Sequence, residues 1–298
     1  MTLLKVSPEV ESALAAHRPV VALESTVIAH GLPKPINLHT AQRLQQIVRN
    51  AGATPATIAV LEGKLRIGLN DDQLQLLAEH DEIKKLSTRD LPIAVAERWD
   101  GATTVASTCW IAHRAGINVF ATGGIGGVHR GSLPDISADL PQLAQTPIVV
   151  VCSGAKIVLD LPATREWLET HSITVVGYGC DEMPAFYTRS SNLPVDVRVN
   201  DASQIRALFQ AQKDLSTEPA LLVTVPVPEE FEVSETTVER VLSEALTEAS
   251  RIGIGGRELT PFLLTRMAEG SEGATLRANV ALLENNARVA AGIASALR

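Results

Sequence analysis

Short runs of aliphatic residues alternate along this chain with segments of helical periodicity. Residues 19–23 (PVVAL), 148–152 (IVVVC), 173–177 (ITVVG) and 220–225 (ALLVTV) contain no polar alternation and are too short for stable helices. Such runs fit strands buried on both faces, which requires a parallel or mixed sheet covered by helices. Hydrophobic residues make up 45% of the chain but aromatics only 3%, so the core must be aliphatic. Helical spacing is expected over residues 38–51, 157–170, 202–213, 235–251, 260–270 and 274–297, with Pro162 interrupting the second near its start. No Ser/Gly-rich or Pro-rich linker and no internal repeat divides the sequence. The reading is one α/β domain over residues 1–298 with a helical C-terminal third.

Between these elements, residues 57–68 predict a hairpin turning at Glu62-Gly63, and Asn70 predicts a helix N-cap. Residues 84–90 (KKLSTRD) are expected to form a polar, cationic connection, with Asp90 capping a helix that opens on Leu91-Pro92. The hydroxyl-rich run 103–108 reads first as helix capping, and a helix start there could alternatively offer amides to a phosphate. Residues 181–196 carry two prolines and little periodicity, so a surface excursion is expected.

A net charge of -8 argues against nonspecific affinity for nucleic acid or anionic membrane, although a small anion could still bind a local cationic pocket. Cys109, Cys152 and Cys180 have neither close pairing nor metal-ligand spacing, so reduced thiols in a cytoplasmic protein are expected. Charged residues interrupt the first 21 positions, which therefore lack a signal-peptide core. No uncharged run reaches the ~18 residues of a membrane span.

Chemistry concentrates in residues 119–156. A short apolar run breaks into Thr122-Gly123-Gly124-Ile125-Gly126-Gly127, followed by His129-Arg130, then by Asp135 and Asp139. A second apolar run leads to Ser153-Gly154-Ala155-Lys156, which puts a lysine just past a strand end. The glycines match neither G-x-G-x-x-G nor the P-loop pattern, and no G-x-S-x-G or H-E-x-x-H occurs. Any metal would take carboxylate oxygens and water, which favours magnesium or manganese. What remains is a lysine, a glutamate (Glu24) and cationic and hydroxyl groups at strand ends. An amine nucleophile needs a lowered pKa, which desolvation or a neighbouring cation could supply. Taken alone, however, Glu24 and Asp135 are more often helix caps, and Lys156 is more often a surface or phosphate-binding lysine.

Longer motifs carry a resemblance. ALEST (22–26) with IAHG (28–31), SxRDLP (87–92), GATTVAST (101–108) and FATGGIGGVHRG (120–131) resemble the pseudouridine-5'-phosphate glycosidase family, also called indigoidine synthase A-like. So do DISADL (135–140), CSGAK (152–156), TPFLL (260–264) and the Asn279…Asn285-Asn286 pattern, all in the same order. The resemblance implies a three-layer α/β/α fold with a mixed sheet, assembled as a homotrimer. It also implies reversible cleavage of pseudouridine 5'-phosphate to uracil and ribose 5-phosphate. Because the bond joins carbon to carbon, the family opens the ribose ring and holds the anomeric carbon as a lysine imine.

Carried over by motif, Lys156 is the nucleophile, Glu24 the proton donor and Asp135 the ligand of a largely water-coordinated Mn2+. Ser137, Ala138, Asp139 and Val105 match substrate contacts, and Lys85 matches the phosphate-side contact. Thr122, His129 and Asn279 also match pocket residues. The loop between His129 and Asp135 is shorter than the family pattern. Two other readings of the residues stay open: a lysine-dependent aldolase or sugar-phosphate lyase, and a noncatalytic sugar-phosphate binder.

Overall fold

The computed structural model describes residues 3–131, 135–256 and 259–298. Its strands are β1 (Leu4–Val6), β2 (Val20–Leu23), β3 (Thr54–Leu61), β4 (Lys64–Ile67), β5 (Lys84–Leu86), β6 (Gly101–Thr103), β7 (Val119–Ala121), β8 (Val149–Cys152), β9 (Thr174–Tyr178), β10 (Val197–Val199) and β11 (Leu221–Thr224). The helices are α1 (Pro8–Ala15), α2 (Ile36–Asn50), α3 (Asp71–Glu79), α4 (Leu91–Ala96), α5 (Val105–Arg114), α6 (Asp139–Leu143), α7 (Leu161–Thr170), α8 (Ala202–Asp214), α9 (Glu235–Ile252), α10 (Leu259–Gly270) and α11 (Ala274–Ala296).

All strands join one mixed sheet in the order β1-β4-β3-β2-β7-β8-β11-β9-β10, with β6 and β5 branching from β3. From β3 to β10 every pairing is parallel. The four residues of β2, β8 and β11 and all eight of β3 are buried, as the uninterrupted apolar runs require. Helix α11 crosses β2, β7 and β8 and packs with α2 and α8, while α5 packs on β2, β3 and β7 with α6 beside it. The expected three-layer α/β/α arrangement with a mixed sheet is the observed one.

β3 changes partners along its length. Thr54–Thr57 run parallel to β2, which stops at Leu23, and Ile58–Leu61 continue antiparallel to β4. Beyond the end of β2, residues Ala59 and Val60 pair with β6 instead. Hydroxyls stitch this fork. Ser25 Oγ donates to the Ile58 carbonyl at 2.6 Å and accepts from the Thr103 amide at 2.9 Å. Thr103 Oγ1 donates to the same carbonyl at 2.7 Å, and Thr108 reaches Thr103 at 2.9 Å. The run 103–108 is therefore a buried cross-brace and not a set of caps, and Thr104 makes no capping bond.

Other local expectations change for similar reasons. Lys84–Leu86 form a strand beside β6, not a loose connection, and Lys85 is thereby fixed in register with Ala102. Asp90 holds the N-cap position of α4 with Pro92 in the first turn, as expected, but its side chain makes no capping bond there and turns back to accept from the Ser87 amide at 2.9 Å. Helix α7 starts at Leu161 behind the Asp160 cap, so Pro162 sits in its first turn and interrupts nothing. Residues 181–196 do not lie on the surface throughout: Met183, Ala185, Phe186 and Tyr187 are buried. The hairpin at Glu62-Gly63 and the Asn70 N-cap form as expected, and Gln73 completes a capping box there. Among the described residues, no helix is long and apolar enough to cross a membrane.

Candidate active site

Chain direction diverges between β2 and β7: β3 flanks β2 on one side, and β8 flanks β7 on the other. In an open α/β sheet, the carboxyl ends of strands beside such a divergence bound a natural crevice. β2 ends there on Glu24, β7 on Thr122 and the glycine loop, and β8 on Ser153-Gly154-Ala155-Lys156.

Glu24 is buried, and its carboxylate accepts a short hydrogen bond from the Thr122 hydroxyl. Burial is the largest influence on it and raises its pKa above the ordinary carboxylate range. The positive charges of Lys156 and Lys85 and the Thr122 hydrogen bond oppose that rise, while Asp139 adds to it. A carboxyl that resists ionisation beside a lysine can deliver a proton. The two neighbouring thiols are different. Burial pushes Cys152 up to about 12 and Cys109 well above its usual value, so neither supplies a thiolate.

Two recesses meet at Glu24, Thr26, Lys85, Lys156 and Thr260. The outer one, about 370 Å³, is the more polar: Arg89, His129, Asp135, Ser137 and Asp139 are on its wall, with Thr104 and Val105 from the start of α5. The inner one, about 50 Å³, is smaller and more apolar, bounded by Gly123, Gly124, Phe186, Pro261, Leu264, Leu283 and Asn279. The glycine loop is shaped by contacts. A side chain on Gly154, which has φ +81°, would run into the Pro184 carbonyl, and one on Gly126 would strike the Ser137 hydroxyl.

The structure brings together Glu24, Lys156, Lys85, Val105, His129, Asp135, Ser137, Ala138, Asp139 and Asn279 around these recesses. Thr122 stands one layer back, buried behind Glu24 as its hydrogen-bond partner. Asp139 lines the outer recess, yet both its oxygens hold backbone: one accepts from Ala106 at 2.9 Å, the other from Gly126 at 2.8 Å. It fixes the glycine loop against the first turn of α5. The short loop after His129 includes residues 132–134, which lie outside those described.

Asp135 presents one exposed carboxylate to the outer recess, and its carbonyl accepts from the His129 amide at 2.8 Å. Among the described residues no group of three or more metal-ligating side chains occurs. That donor set suits a hard cation held through water and a single carboxylate, and it does not suit a zinc-type cage.

Asn286, present in the sequence only as part of a family pattern, joins two loops behind the site. From α11 its amide donates to the Thr122 carbonyl at 2.9 Å and pairs with the Ser153 hydroxyl at 3.1 Å. It thus ties the loop after β7 to the loop after β8. Its sequence signals were the Asn279…Asn285-Asn286 pattern and its place as a polar residue on a largely apolar last helix.

The fold and this site define an α/β enzyme whose acid and lysine project from strand ends into a divided crevice. The sequence matches the family described as indigoidine synthase A like protein over residues 9–296. It is 50% identical over 293 residues to the pseudouridine-5'-phosphate glycosidase of Caldanaerobacter subterraneus subsp. tengcongensis, covering 98% of this chain and 95% of the relative. A protein of the same name from Alkaliphilus metalliredigens is 47% identical over 296 residues, covering 99% and 96%. The crystal structure of the prealnumycin C-glycosynthase in complex with ribulose 5-phosphate superposes with a TM-score of 0.91 at 42% identity, covering 100% of this chain and 97% of that one. An indigoidine synthase A-like protein from Thermotoga maritima gives 0.90 at 37% identity, covering 98% and 95%. The chain belongs to the indigoidine synthase A-like family.

Proposed function

We propose that this enzyme cleaves the carbon–carbon glycosidic bond of pseudouridine 5'-phosphate to uracil and ribose 5-phosphate. The observation that carries the reading is the division of the crevice at Glu24 and Lys156. A cationic, hydroxyl-bearing recess suits a pentose phosphate, and a smaller, more apolar recess lined by glycines and Phe186 suits a planar base. The relatives' shared name and the pentose phosphate held by the C-glycosynthase support the same division.

In this reading the Glu24 carboxyl gives its proton to the ribose ring oxygen as the C1'–O4' bond breaks, and the Lys156 amine takes that oxygen's place on C1' as a secondary amine while the sugar keeps a free 4'-hydroxyl. The base carbon then takes a proton as the C1'–C5 bond breaks, uracil departs, and the nitrogen lone pair leaves C1' as the lysine imine. Water then hydrolyses the imine and returns the free lysine and ribose 5-phosphate. Lys85, with Ser137 and Ala138 across the recess, binds the phosphate end, and Asn279 and His129 complete the two walls. Asp135 would hold Mn2+ with water in the remaining positions, where the ion would supply positive charge at the anionic end of the substrate.

A homotrimer in the cytoplasm, degrading the modified nucleotide rather than acting on nucleic acid or at a membrane, completes the proposal. Incubation with pseudouridine 5'-phosphate and manganese, followed by chromatography, is expected to yield free uracil. No uracil in either direction, with several metals, would leave the binding-protein reading.

A further inference from the structure

The inner recess stands between two larger cavities. It shares Glu24, Thr26, Lys85, Lys156 and Thr260 with the outer recess, and a different set, His30, Gly31, Pro261, Leu264 and Asn279, with a third cavity of about 430 Å³. Among the described residues, the outer and third cavities have no wall residue in common. The same helix faces carry the walls from the inner recess onward. Pro261, Leu264, Thr265 and Ala268 recur at the spacing of one face of α10; the first two bound the inner recess and all four the third cavity. On α11, Leu283 and Asn279 bound the inner recess, and Leu276 continues that wall beyond Asn279. At the rise of an α-helix, the step from Leu264 to Ala268 adds about 6 Å. The added space is chiefly apolar, with Leu32, Ala268 and Leu276 on its wall, and the Glu269 carboxylate at its edge is held by Arg266 at 2.7 Å.

We propose that the third cavity extends the base subsite and takes an apolar substituent on the base, so that the substrate class includes carbon-linked ribose 5-phosphates whose pyrimidine is N-alkylated. The inference rests on the reaction proposed above. In that reaction C5 of the base, bonded to C1', lies at Glu24 and Lys156, where the inner and outer recesses meet. C2 is across the ring from C5 and is flanked by N1 and N3. An alkyl group on one of these nitrogens therefore points away from the sugar, toward the end of the recess bounded by Leu264 and Asn279. These two residues form the neck, and Thr265 and Ala268 lie beyond it, on the third cavity alone.

The test uses pseudouridine 5'-phosphate and two series of analogues carrying methyl, ethyl or butyl on N1 or on N3, with chromatography for the free base. Comparing chain lengths within a series removes the effect of losing the N–H itself. In wild type, kcat/KM in one series is expected to hold or rise from methyl to butyl, by up to roughly fourfold per buried methylene. Ala268→Phe fills the third cavity from outside the inner recess, and Thr265→Phe does so from an exposed position should the first variant fail to fold. Either should cut activity on the butyl substrate roughly 10- to 100-fold and leave cleavage of the parent unchanged. A steep fall from methyl to butyl in both series, or butyl cleavage that the folded variants leave intact, overturns the proposal. So does a folded variant that loses parent and butyl activity in equal measure, because the cavity then serves the fold and not the substituent. No uracil from the parent contradicts the reaction itself; uracil release with the butyl substrates refused contradicts only the third cavity's role.

Discussion

Glu24 and Thr122 come from different strands and meet only because β2 and β7 are neighbours with parallel register. That pairing gives the acid a fixed hydroxyl donor and a buried position, and burial outweighs the nearby lysine charges in setting its protonation. Replacing the carboxyl in Glu24→Gln should cut kcat about 10²- to 10⁴-fold, the usual contribution of a positioned acid. Activity that needs the protonated form should fall as pH rises through the raised pKa, and the variant should lose that limb of the profile. Stability should move oppositely. A carboxyl with a raised folded-state pKa stabilises the fold fully below its unfolded pKa, and this contribution is lost as pH rises through the folded value. The glutamine variant should therefore gain in melting temperature over wild type toward alkaline pH. A parallel pH dependence of stability in both proteins would contradict the buried, proton-retaining state of Glu24.

Helix α11 organises the loops that carry the chemistry. Asn286 holds the Thr122 carbonyl and the Ser153 hydroxyl, so one side chain sets the spacing between the glycine loop and the segment ending at Lys156. Asn286→Ala leaves both groups buried and short of a partner, and a loss of about 1–3 kcal/mol is expected in urea denaturation. Turnover should fall more than substrate affinity, because the displaced atoms lie behind the acid and lysine. Unchanged stability would contradict this bracing role.

What the sequence disclosed follows from locality. Strand ends were legible because apolar runs stop abruptly, which placed Glu24 and Lys156 where they are found. The helices from residue 235 onward were legible from periodicity and from stop signals such as Gly253, which adopts the left-handed conformation. β5 was not legible: an edge segment with lysines at positions 84 and 85 has no apolar signature, and only β6 makes it a strand. The hydroxyls at 103–108 were misread because their partner Ser25 is 78 positions from Thr103.

At the scale of the molecule, an acidic chain with net charge -8 places Lys85, Arg89 and Lys156 around one crevice, where a small anion would meet positive charge. The far side of α11 differs: Ile36, Phe231, Leu276, Val280 and Ala281 line an open apolar groove, and Phe231 is 41% exposed. Burying such a surface against neighbouring protomers fits the proposed trimer. Light scattering after size exclusion should give three times the chain mass, and a concentration-independent single-chain mass would contradict it.

The proposed reaction requires Lys156 to become covalently attached to the pentose. The most direct test is borohydride reduction during turnover of pseudouridine 5'-phosphate, with peptide mapping by mass spectrometry. A pentose-phosphate adduct is expected on Lys156, absent from Lys156→Ala, which also releases no uracil. Uracil release by Lys156→Ala at the wild-type rate, or an adduct on another lysine, would contradict it.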